Sequence, residues 1–156
     1  MMPHRVSLLL ATVWAGSLWT IGYLVAPTLF AVLDDRQVAG MIAGRLFRAE
    51  AILSVVCGVL LLALANLLVR RGEASYRAVR WVVLGMLLCT LVGYFGVQPF
   101  MEVLRNKAEA MGVAVSESPY KTQFGMLHGV SGSIYLLQSL LGIVLIWRLG
   151  ARPGRL

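Results

Sequence analysis

From Thr122 to Trp147 the chain runs 26 residues without an Asp, Glu, Lys or Arg, and three similar runs precede it: Val6–Leu33, Ala51–Val69 and Trp81–Met101, of 28, 19 and 21 residues. A helix needs about 20 apolar residues to cross a hydrocarbon core roughly 30 Å thick, so each run is long enough to span. With no water to take up stray backbone polar groups, only helices and closed barrels cross a bilayer. The alternating apolar and polar segments of a barrel are absent. These constraints predict an all-α fold, a polytopic membrane protein built as a four-transmembrane-helix bundle. The spans are expected near 6–33, 37–69, 81–111 and 119–148, in a single domain over 1–156. At 59% hydrophobic and 13% charged residues, the composition leaves the range of soluble domains.

The net charge of +7 would suggest a nucleic-acid partner in a soluble protein, but its placement points to a membrane. Arg5, the connection carrying Arg70, Arg71, Arg77 and Arg80 against Glu73, and the tail with Arg148, Arg152 and Arg155 hold all of the excess. The first and third connections are balanced. Eight Lys and Arg residues therefore lie on the side of the termini and six on the other. By the positive-inside rule both termini are expected on the cytoplasmic side of the membrane. The basic side would meet anionic lipid head groups, so the bilayer itself is the first partner and nucleic acid is not one. The apolar run after Arg5 is nearly twice as long as the roughly 7–15 residues of a signal peptide, and reads as an uncleaved first span. Cys57 and Cys89 fall at different depths and are expected to be small buried apolar residues rather than a disulfide.

Several boundaries are legible. Gln37 to Glu50 has apolar residues at helical spacing and no proline, so it extends the second span after a tight turn at Asp34-Asp35. Gly72 ends that helix. Phe100 to Met111 prolongs the third span, and Ser118-Pro119 provides a cap and first residue for the fourth. Pro27 and Pro99 lie near the far ends of spans one and three, where each is expected to kink its helix or to mark its exit from the membrane.

At 100° per residue, Gly125, His128, Gly132, Tyr135, Ser139 and Gly142 share one side of the fourth helix, opposite a leucine-rich side. Polar stripes also occur on the other helices. Since lipid offers polar groups no partner, the stripes are expected to converge. Their far halves would gather Tyr23, Glu50, Ser54, Tyr94, Gln98, Lys121 and His128. Six of these, His128, Tyr94, Gln98, Tyr23, Glu50 and Lys121, form the candidate ligand-binding set. Gly16, Pro27, Gly125, Gly129 and Gly132 are the candidate packing positions, because small residues let helices approach closely. Two readings of His128 stand side by side: a ligand group, or a neutral hydrogen-bond partner for Tyr94 or Ser131. The chain has only two histidines and no Cys-x-x-Cys or His-x-x-x-His spacing, so neither a closed zinc site nor another cofactor is expected. Transient metal contact at His128, with Cys57 and a methionine such as Met101, stays open. No nucleophile elbow, phosphate loop or dinucleotide fingerprint is present, and no catalytic pair can be named. Two functions follow from this inventory. One is binding or transport of a small solute or metal through a polar pocket in the far half of the bundle. The other is a structural or partner-binding membrane subunit, as a homo-oligomer or beside another membrane protein.

Trp14-Ala-Gly16-Ser-Leu-Trp19, Ala26-Pro27-Thr-Leu-Phe30, Gly40-x-x-x-Gly44-Arg-Leu-Phe47 and Phe124-Gly-Met-Leu-His128-Gly-Val-Ser131 together resemble the bacterial DUF4149 family, which shares its domain with the eukaryotic transmembrane protein 205. The resemblance implies a four-helix membrane protein without an established activity. By these motifs it singles out Trp14, Gly16, Pro27, Phe30, Gly44, Phe47 and His128.

Overall fold

Pro27 and Pro99 each lack an amide hydrogen, and each ring would collide with the carbonyl four residues back in a regular α-helix. The chain answers both in the same way. In the computed structural model, which describes residues 2–151, Thr20–Val25 and Leu91–Val97 are wound as π-helix just before the two prolines. The wider turn shifts the bonding pattern by one residue, so that Ala26 N–H reaches Ile21 and Gln98 N–H reaches Gly93. Helix continues beyond each proline. Neither marks the end of its span.

Four long helices result: α1 (Met2–Val32), α2 (Arg36–Arg70), α3 (Tyr76–Ala110) and α4 (Lys121–Gly150), and each is long and apolar enough to cross a membrane. Among the described residues there is no strand. The protein is therefore all-α, a four-helix membrane-spanning bundle. Asp35 starts α2 by accepting the amides of Gln37 and Val38 at 2.8 and 3.2 Å. Gly72 and Gly112, at φ of 93° and 71°, turn the chain after α2 and α3. A single 3₁₀ turn, Val115–Glu117, leads toward α4, and Ser118 Oγ accepts the Tyr120 amide at 3.2 Å. Helix then begins at Lys121, slightly later than the Ser118-Pro119 start expected. Each helix packs on its chain neighbours and α4 closes on α1, an up-and-down arrangement imposed by the short connections. Arg152 and Arg155, used above in the charge count, lie outside the described residues.

Packing is uneven along the bundle. The main core joins Trp14 and Leu18 of α1, Cys57 and Leu61 of α2, Val83 and Met86 of α3, and Leu145 and Leu149 of α4, all toward the end that carries the termini. Toward the other end, called the far end below, no residue from Lys121 to Leu137 of α4 is buried. The close approaches depend on glycines other than those expected. Trp14 lies across Gly58, where a Cβ would overlap Leu87 and come within 3.0 Å of the indole. Ile134 and Tyr135 of α4 sit against Gly93 and Gly22, one in each π-helical segment, and a Cβ at Gly22 would collide with the Tyr135 ring. Gly142 faces Ala15. By contrast, a Cβ added at Gly16, Gly125, Gly129 or Gly132 would have nothing within 4 Å, and Pro27 is exposed.

The inward face of α4 runs through the half-buried Ser131 and Ile134 and the buried Gln138, Gly142, Leu145 and Leu149. It lies about a quarter turn from the centre of the glycine-rich stripe, counted at 100° per residue. Of that stripe Tyr135, Ser139 and Gly142 reach the bundle's internal seam, whereas Gly125, His128 and Gly132 do not. The physical reason is Gln138, whose amide has partners only in the bundle centre and so sets the rotation of the helix. Overpacking costs typically about 1–3 kcal/mol. Gly58→Val should therefore lower the thermal unfolding midpoint of the lipid-reconstituted protein clearly, while Gly129→Val, on an open face, should leave it nearly unchanged.

Candidate functional site

A polar cluster stands where the four helices meet. Ser54, buried on α2, is its hub. Trp14 Nε1 donates to Ser54 Oγ at 2.6 Å, and Gln138 Nε2 approaches the same oxygen at 3.5 Å. Ser54 in turn donates to Glu50 Oε1 at 2.7 Å, one helical turn away. Gln138 Nε2 also donates to Thr90 Oγ1 at 2.9 Å, and Thr90 passes its own proton to the Met86 carbonyl at 3.3 Å. One residue comes from α1, two from α2, one from α3 and one from α4.

The polarity of this cluster is fixed by chemistry. An indole N–H can only donate, and so can the amide nitrogen of glutamine. With N–H groups directed at Ser54 Oγ, the hydroxyl proton has one destination, Glu50. Donor character therefore flows inward from Trp14 and Gln138 and ends on the carboxyl. Glu50 is 4% exposed and is the one charged residue type among the buried side chains described. Ser54 is its only hydrogen-bond partner among the described residues. It lies 14 residues into α2, ~21 Å along the axis from Arg36, whereas Arg70 is ~30 Å away. The cluster lies at a similar depth on the other helices. Trp14 and Thr90 are ten and fourteen residues, or ~15 and ~21 Å, beyond the His4–Tyr76 hydrogen bond of 2.8 Å near the termini. On α2, Arg45 and Arg48 precede Glu50 by five and two residues and are exposed.

Tyr135 forms the next layer. Its hydroxyl donates to the Leu18 carbonyl of α1 at 2.6 Å, and its ring packs edge-on against Phe47 and Tyr23.

The expected far-end constellation is only partly assembled. Glu50 and Ser54 are in contact, and Tyr23 meets Tyr135 while remaining 50% exposed. Tyr94 packs against its neighbour Phe95, and Gln98 is half-buried. His128 is exposed and stacks on Phe124, which in turn lies under the Arg105 guanidinium. Its ring makes no hydrogen bond with Tyr94 or Ser131. Lys121 is exposed. Two open surface depressions stand out. One, of about 370 Å³, is an apolar groove between α1 and α4 lined by Trp19, Tyr23, Leu136, Ser139, Leu140 and Ile143. The other lies beside Trp147 and Arg148. Glu50 lines neither. Among the described residues no group of three or more His, Cys, Asp or Glu could hold a metal ion, and Cys57 and Cys89 are buried and free.

Gln138 and Tyr135 complete the site without having been singled out as its members. The signal was available in part: Gln138 is a primary amide in the middle of a charge-free span, where a polar group needs a partner. Its position on neither of the two named faces hid it.

The architecture defines a small multi-pass membrane protein with a hydrogen-bonded polar centre. The family model described as Domain of unknown function (DUF4149) matches residues 9–110, and the chain belongs to that family. The matched segment contains Trp14, Glu50, Ser54 and Thr90, whereas Gln138 and the motif around His128 lie beyond it. No curated protein and no solved structure matches the chain.

If Ser54 is the hub, Trp14 and Ser54 are energetically coupled. Side-chain hydrogen bonds between membrane helices average about 0.6 kcal/mol and reach about 1.7 kcal/mol. Because the Trp14 bond is short and buried, a double-mutant cycle with Trp14→Phe and Ser54→Ala should give a coupling in the upper part of that range. Replacing Trp19, whose bond to the Ser139 carbonyl is 3.4 Å, should give none with Ser54.

Proposed function

We propose that this protein binds, and moves into or across the membrane, a small cationic solute, the proton included, with Glu50 as its working group. The observation carrying this reading is a carboxyl buried between four membrane-spanning helices with one hydrogen bond and no ion pair among the described residues. Ionisable groups within a membrane are costly and as a rule functional, and a bundle that needed only a spacer would hold leucine or glutamine here. The site is thus proposed in the bundle centre rather than among His128, Lys121 and Gln98 at the far end. Tyr23 and Tyr94 would flank the approach from that end. A bacterial inner-membrane location with cytoplasmic termini agrees with the distribution of Lys and Arg.

A second reading, a partner-binding or self-associating subunit, is favoured by one specific feature. Gly125, Gly129, Gly132 and His128 all point away from the bundle on a half-helix with no buried residue. Small residues on an outward face suit another helix at close range.

The two readings predict different measurements. In the first, the thermal stability of the lipid-reconstituted protein should respond to a change of pH, raised or lowered, or to one of a panel of Na⁺, K⁺, Mg²⁺, Zn²⁺ and Cu²⁺ salts, and Glu50→Gln should abolish that response. A response that persists in Glu50→Gln would overturn it. In the second, cross-linking in the membrane should yield a discrete dimer or heteromer that Gly125→Leu removes, whatever residue 50 is.

A further inference from the structure

We infer that the species held at Glu50 is a proton, so that at neutral pH the side chain is a neutral carboxylic acid whose Oε1 is tied to Ser54 and whose Oε2 carries the hydrogen. This rests on the proposed role of Glu50 and names its ligand. The number of side-chain oxygens without a donor decides between a proton and a metal ion. A hard metal cation bound by protein oxygens takes about six or more of them. Here Ser54 Oγ is occupied by Trp14 and Gln138, and Thr90 Oγ1 by Gln138. Glu50 Oε1 already accepts from Ser54. The one carboxyl oxygen without a hydrogen-bond donor among the described residues is Oε2. With the Gln138 amide oxygen, which also has no donor among the described residues, the cluster offers two such oxygens: one is enough for a proton, and two are far too few for a hard metal ion.

The surroundings of the carboxyl supply no compensating charge. On its own helix Arg45 and Arg48 are exposed and make no ion pair with it, and Cys57 lies two turns beyond; from α4 Tyr135 approaches, with Tyr23 of α1 behind it. The Tyr135 hydroxyl proton is committed to the Leu18 carbonyl and cannot serve the carboxyl. The buried residues of α1, α3 and α4 include no Lys, Arg or His. An ionised Glu50 would thus stand in low dielectric with one neutral hydrogen bond, whereas the acid form needs no counter-charge. Loss of the proton from Oε2 would leave an anion aligned with the inward-pointing donors, and Ser54 and Trp14 would report it directly.

Infrared difference spectroscopy of the full chain in lipid bilayers tests this. The other six Asp and Glu residues are exposed at the ends of the bundle, which isolates the buried carboxyl. A protonated-acid carbonyl band is expected at neutral pH, absent in Glu50→Gln, lost at strongly alkaline pH and unmoved by Na⁺ or K⁺. Ser54→Ala should shift that band to higher frequency, because the carbonyl loses its hydrogen bond; this variant decides the matter if Glu50→Gln does not fold. Absence of the band at neutral pH, or no shift in Ser54→Ala, overturns the inference. If carboxylate bands that depend on Glu50 then respond to Na⁺ or K⁺, the carboxyl binds a metal cation and only the proton is wrong. If neither pH nor salt changes any band assigned to Glu50, the binding role proposed above falls as well.

Discussion

The hydroxyl of Ser54 accepts N–H groups from two other helices and gives its only proton to Glu50, and the rotations of the helices are referred to that one oxygen. In lipid, apolar side chains are nearly as content facing acyl chains as facing one another, so hydrophobicity alone does not rotate a helix into register. Polar groups do, because hydrocarbon offers them nothing. Trp14 must present its indole nitrogen to α2, which turns Ala11, Ala15 and Leu18 inward with it. Gln138 must present its amide to Thr90 and Ser54, which brings Gly142 and Leu145 inward. The core is then completed by shape: Gly58, one turn beyond Ser54, leaves the notch into which the Trp14 ring fits.

The prolines serve the same arrangement. A proline in a regular helix leaves one carbonyl without its amide and pushes it aside, and π-helical winding spreads that defect over a wider turn. In α1 and α3 the wide turns carry Gly22-Tyr23 and Gly93-Tyr94, and consecutive residues of α4, Tyr135 and Ile134, press against the two glycines. Tyr135 also takes up the Leu18 carbonyl near the start of the first wide turn. Thus α4 is seated by two similar defects, one in each helix that flanks it, immediately above the polar centre. Local irregularity here is a docking feature.

The fold was legible because charge-free runs of 19 to 28 residues admit few alternatives. Asp35 as a cap and Gly72 as a stop were legible for the same local reasons. The site was legible in fragments. Glu50 and Ser54, four apart on one helix, could be paired from spacing, but spacing does not say that Trp14 and Gln138 of two other helices meet them. The rotation of α4 could not be read from glycine content, since small residues mark close approach without saying to which neighbour. Partner chemistry decides rotation: His128 can be accommodated outside, stacked on Phe124, whereas Gln138 cannot. The π-helical turns had a cue in the two prolines, though the same cue was equally consistent with kinks or helix exits.

The bundle is closed near its termini and loosely packed along the far half of α4, and that asymmetry bears on how a buried acid could exchange its proton. Glu50 sits where the tight half ends: below it lie Cys57, Leu61 and Met86, and above it α4 has no buried residue at all between Lys121 and Leu137. A route from the termini would have to pass through close-packed aliphatic side chains and the Trp14 ring. A route from the far end meets Tyr135, Tyr23 and Phe47, two of them hydroxyl-bearing, of which Tyr135 packs against the main core. Tyr135 hydrogen-bonds a backbone carbonyl and rests on Gly22, Phe47 and Tyr23, none of which belongs to the polar centre, so a movement of its ring would leave Trp14, Gln138 and Thr90 in place. On the reading that Glu50 holds a proton, approach from the far end past Tyr135 is therefore the one that leaves the polar centre in place.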